Sequence, residues 1–122
     1  MSRFEHLPIY KALYTFSKEM YRTKSQLPKN LKHDLGSTAF NASLKMLRLS
    51  IIANGSVLKK GPLQELSLEI QALWAYLRLM YDFKGISKGQ FGVLSEHLEG
   101  IQKQVAAWSS WEKKQAVNNL KK

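Results

Sequence analysis

Between its breakers this chain repeats apolar residues at helical spacing in four separate stretches, and the alternation expected of a β-strand never persists. The breakers fall at Pro28 with Asn30 nearby, from Asn54-Gly55 through Gly61-Pro62, and from Lys84-Gly85 through Ser87-Lys88-Gly89. At roughly 100° per residue each stretch closes an apolar face, which predicts helices near 8–25, 29–54, 62–83 and 87–116. Pro62 suits the first turn of the third helix, and Ser87 is a natural N-cap for the fourth. Short connections favour antiparallel neighbours. The expected fold is all-α: an up-down antiparallel four-helix bundle over residues 1–116 as one domain, with a basic carboxyl-terminal tail at 117–122.

The faces are unequal. The first helix has a plain buried side of Tyr10, Leu13, Tyr14, Ser17, Met20 and Tyr21, joined at its edge by Ile9 and Phe16. The second carries one row of Leu31, Leu35, Ala39, Ala42, Met46, Leu49 and Ala53, and another of Phe40, Leu44, Leu47 and Ile51. The third backs its main face, Leu63 to Tyr81, with a further row of Leu68, Ala72, Ala75 and Leu79. The fourth has only a narrow row from Phe91 to Trp108, which places it on the outside of the bundle. A single bundle seldom needs two apolar faces on two helices. The extra rows line either a large core or a subunit interface, and small Ala72 and Ala75, which admit a close helix, favour the interface.

Charge narrows the choice of partner. Lys and Arg number 19 against 9 Asp and Glu, a formal net charge of +10, so polyanions are the favoured partner class. The absence of Cys removes disulfides, thiolate metal sites and Cys nucleophiles together. His6, His33 and His97 fall in three different segments with no metal-ligand spacing, and no Gly-rich phosphate loop is present. The reading is therefore non-enzymatic, with no catalytic residue, metal or cofactor. Lys11 and Lys18 interrupt the first apolar segment, which is neither a signal peptide nor a transmembrane span, so a cytoplasmic protein without membrane insertion is expected.

Candidate phosphate contacts follow from helical geometry. Lys11, Lys18 and Arg22 share one outward face of the first helix, and Lys45 with Arg48 lie one turn apart on the polar strip of the second. Lys29, Lys32 and His33 cluster at the start of the second helix, where cations oppose the helix dipole. Arg78 stands within an apolar run and either lines an assembled channel or pairs with Asp82 four residues on. Tyr10, Tyr14, Tyr21, Trp74 and Trp108 follow the buried faces, and only Tyr76 and Trp111 fall away from them. Lys59-Lys60 and Lys84/Lys88 belong to loops, and Lys113-Lys114 with Lys121-Lys122 make a basic end.

The order of features also carries a resemblance. An aromatic first helix leads to Leu27-Pro28-Lys29-Asn30-Leu31-Lys32-His33-Asp34-Leu35-Gly36, then a long apolar helix to Ala53-Asn54. Leu66-Ser67-Leu68-Glu69-Ile70-Gln71-Ala72-Leu73, Leu77-Arg78-Leu79-Met80-Tyr81 and Ile86-Ser87 follow, and the last helix finishes at Trp108. Over about residues 8–111 this resembles the Avd family, the accessory variability determinants of diversity-generating retroelements, with Lys32 where an Arg is often seen. It is less closely similar to the four-helix bundle proteins encoded in intervening sequences of bacterial ribosomal RNA genes. The first resemblance implies a basic bundle assembling as a homopentameric barrel that binds nucleic acid, with template RNA expected ahead of DNA as the partner, and a reverse transcriptase during mutagenic retrohoming. The second implies a protein-interaction module.

Overall fold

The computed structural model describes residues 3–120, the side chain of Arg3 excepted. A 3-10 turn (Arg3–His6) precedes α1 (Pro8–Gln26), and α2 (Lys29–Leu31), a π-helical turn (Lys32–Gly36) and α3 (Ser37–Gly55) follow as one continuous rod. Two further helices, α4 (Lys60–Asp82) and α5 (Lys88–Leu120), complete the chain. Each break has a local cause. Leu7 and Leu27 both precede a proline and take extended backbone, as the proline ring demands, so helix stops before Pro8 and before Pro28.

The four long helices pack in cyclic order, α3 between α1 and α4, and α5 between α4 and α1. Specific pairs show that neighbours run antiparallel. Tyr81 stacks on Phe91 with centroids 5.1 Å apart, while Trp74 Nε1, earlier on α4, donates to Gln102 Oε1, later on α5, at 3.0 Å. The core is built from Leu13, Phe16 and Met20 of α1, Met46 of α3, Leu66 to Met80 of α4, and Leu94, Leu98, Ile101 and Val105 of α5. Fully burying such a side chain contributes about 1.5–3 kcal/mol. The buried side of α1 centres on Ile9, Leu13, Phe16, Met20 and Thr23, rotated from the expected face, and leaves Tyr14 49% and Tyr21 60% exposed. Both tyrosines sit on the flank toward α3, where Tyr21 meets Phe40 edge-on at 5.5 Å. Tyr76, by contrast, packs partly against the core.

One end of the bundle is closed by two glycines. A Cβ on Gly36 would stand 2.9 Å from Leu27 Cδ1, and one on Gly85 would stand 2.8 Å from Leu31 Cδ1 and 3.0 Å from Leu27 Cδ2. The α1–α2 turn and the α4–α5 loop are thereby pressed onto one leucine pair. The π turn lies at this contact, with Ser37 N–H reaching Lys32 O and Ser37 Oγ donating to the same carbonyl at 3.2 Å. At the far end α5 outruns its neighbours: its 33 residues span ~50 Å against ~35 Å for the 23 of α4. It passes the expected end at 116, so 117–120 are helical, while Lys121 and Lys122 lie outside the described residues.

Candidate nucleic-acid interface

The expected contact residues have different surroundings. On α1, Lys11, Lys18 and Arg22 are all exposed, Lys18 with its ammonium 5.3 Å from the Tyr14 ring centroid and Arg22 paired to Glu19 one turn back. Lys45 reaches across to Glu69 of α4 at 3.4 Å, and Arg78 pairs with Asp82 at 3.0 Å. Arg48 and Lys29 are exposed and Lys32 half-buried, and none of the three has a carboxylate partner among the described residues. Among the described residues the unpaired members are therefore Lys11, Lys18, Lys29, Lys32 and Arg48. Exposed intrahelical pairs contribute little to stability and open readily to a polyanion.

Two lysines treated as loop residues have structural assignments. Lys59 Nζ donates to the carbonyls of Ala53, Asn54 and Ser56 at 2.8, 3.3 and 2.6 Å, so it caps the carboxyl end of α3. Lys60 is the first residue of α4. Lys59 lies in the loop as expected, and Lys60 corrects the loop assignment, because the α3–α4 connection is tighter than its Asn-Gly and Gly-Pro signals suggest.

Lys84 and Lys88 stand where sequence spacing alone would not unite them with Lys29 and Lys32. Gly85 N–H reaches Met80 O at 2.8 Å and Lys84 N–H reaches Tyr81 O at 2.9 Å, a Schellman closure of α4. The left-handed residue in that closure is Lys84, with φ 62°, where glycine is usual. Ser87 and Gln90 then form a reciprocal capping box for α5, Ser87 N–H to Gln90 Oε1 at 2.8 Å and Gln90 N–H to Ser87 Oγ at 3.1 Å. Gln90 Nε2 also donates to Gln26 Oε1 at 3.3 Å, tying this loop to the end of α1.

The extra apolar rows occupy two different flanks of the bundle. Phe40, Leu44, Leu47 and Ile51 lie on the side of α3 turned toward α1, shown by the Phe40–Tyr21 contact and by Lys24 Nζ 5.7 Å from the Phe40 centroid. Leu68, Ala72, Ala75 and Leu79 lie on the flank of α4 beyond Glu69, on the α3 side, with Leu68 58% exposed. Asn41, Lys45 and Arg48 of α3 separate the two rows. Phe40 and Leu47 are half-buried and pack against the core, whereas Leu44, Leu68 and Leu79 are exposed.

Among the described residues no helix is long and apolar enough to cross a membrane, and no three His, Asp or Glu side chains cluster as a metal site. Surface concavities are small, one of about 430 Å³ beside Glu5, Tyr10 and Tyr14, another of about 320 Å³ between Ala12 of α1 and His97 and Gly100 of α5. No protein-family model, curated protein or solved structure matches the chain.

Proposed function

We propose that this chain is a non-enzymatic nucleic-acid-binding subunit of a ring-shaped assembly, serving in the cytoplasm as the accessory protein of a diversity-generating retroelement. In this reading it holds template RNA and a reverse transcriptase together, as the resemblance to the Avd family implies, and it needs no cofactor or metal. The observation that carries the binding half is the charge left over after pairing. Glu19, Glu69, Asp82 and Glu99 are tied to Arg22, Lys45, Arg78 and Lys103, yet Lys11, Lys18 and Arg48 are exposed and without acidic partners among the described residues. Spaced cations of this kind neutralise phosphates and release counterions without reading bases.

The assembly half rests on the two separated rows. A self-complementary patch would build a two-fold dimer, whereas two different apolar surfaces fit a head-to-tail contact that repeats and closes into a ring. Small Ala72 and Ala75 give the α4 surface the shallow relief that an exposed Leu44 can approach. A homopentamer is the closure that the family resemblance implies.

Changing Lys11, Lys18 and Arg22 together to Glu tests the reading. Titration with a structured RNA is expected to show binding lost, with circular dichroism and oligomeric mass unchanged. Undiminished binding would remove the α1 face from the interface. A wild-type protein that ignores RNA at low salt would leave a protein-interaction module as the better description.

A further inference from the structure

We infer that the closed end of the bundle is a second RNA contact, distinct from the α1 face, in which Lys29, Lys32, Lys84 and Lys88 hold the phosphates of an unpaired stretch and Phe83 stacks a base. The inference rests on the nucleic-acid reading above and deepens it by naming the form of the strand. Contact of Gly85 with Leu27 and Leu31, and of Gln90 with Gln26, brings the two segments that carry the four lysines together at one end of the bundle. None of the four pairs with a carboxylate among the described residues. Asp82, the nearest acid in sequence to Lys84, is engaged by Arg78.

Local stability argues against a side chain at 84 and against cations at 29 and 88. Lys84 occupies a left-handed position that favours glycine, and Lys88 and Lys29 are the first residues of α5 and α2, facing the positive end of a helix. Charges kept at local cost at one end of the bundle fit a ligand that repays them. Lysines act as point charges for phosphate, and among the described residues the end carries no unpaired arginine fork suited to carboxylates. Phe83, the C-cap of α4, is exposed directly beside Lys84, and an aromatic face among cations is the arrangement that takes a base from a single strand.

The test is fluorescence anisotropy with two probes, an unstructured oligoribonucleotide and a fully paired RNA duplex, each at two salt concentrations. The Lys84→Gly, Lys88→Gln double variant is expected to raise Kd for both probes by roughly ten-fold or more and to flatten the salt dependence, while its Tm does not fall. Phe83→Leu is expected to weaken the unpaired probe about five-fold or more and leave the duplex unchanged. Lys60→Gln, at the opposite end, serves as the charge control and is expected to bind like wild type. An unchanged Kd in the double variant, an equal loss in Lys60→Gln, or equal effects of Phe83→Leu on the two probes would overturn the inference and leave the α1 reading standing. Failure of the wild type to bind either probe would overturn both.

Discussion

Lys84 shows how a single backbone angle links stability to binding. A side chain in the left-handed region costs about 1–2 kcal/mol, and glycine returns part of that gain by enlarging the unfolded ensemble. Lys84→Gly alone is therefore expected to stabilise the fold by about 0.5–1 kcal/mol, read as a rise of a few degrees in thermal unfolding. Its neighbour behaves oppositely. Gly85→Ala would push a methyl group against Leu27 and Leu31, and a loss of about 1–3 kcal/mol in a denaturant titration is expected. Lys59→Met, which keeps the stem and deletes the ammonium, should cost about 1 kcal/mol by uncapping α3. An increase in stability for Lys59→Met would show that the cap does not act in solution. Of these positions the sequence marks only Gly85, within a breaker. The cap of Lys59 and the closure at Lys84 depend on where the chain returns, which no local pattern records.

At the scale of elements, legibility follows the range of the forces. Helix ends at Leu27-Pro28 and Ser87 were readable because proline and capping chemistry act within a few residues. The rotation of α1 was not, since Ile9 and Phe16 become central only once α3 and α5 flank them, which moves Tyr14 and Tyr21 outward. Nor was the π turn, whose Gly36 abuts Leu27 across the end of the bundle. The fourth expected helix, narrow in its apolar row, is a wall of the bundle up to Trp108 and projects beyond it afterwards. Residues 113–120 are exposed throughout. Truncation after Glu112 is therefore expected to leave the unfolding midpoint within a degree or two, whereas Leu98→Ala in the same helix should cost about 2–5 kcal/mol. A large loss of stability on truncation would mean that the projecting turns pack against something in solution.

The whole molecule is a basic bundle with two separate apolar flanks, and the candidate site was legible in its charges but only in part in their pairing. Lys45 reads as a contact and the fold engages it with Glu69 of another helix, whereas the Arg78–Asp82 pair is one of the two readings its spacing offers. The extra rows were legible as excess, yet their placement on opposite sides of the α3 polar ridge emerges only from packing. That placement makes a complementation experiment possible. Leu47→Glu and Leu79→Glu, each damaging one flank, are both expected to give monomers with native helicity. Mixed in equal amounts, they should form a one-to-one dimer through the remaining intact pair of surfaces. Two variants that each keep full oligomeric mass would place the rows outside any interface. The most direct measurement is light scattering on the wild-type protein with a structured RNA titrated in at two salt concentrations. A pentamer whose affinity falls steeply as salt rises is the expected result, and a monomer indifferent to RNA would contradict it.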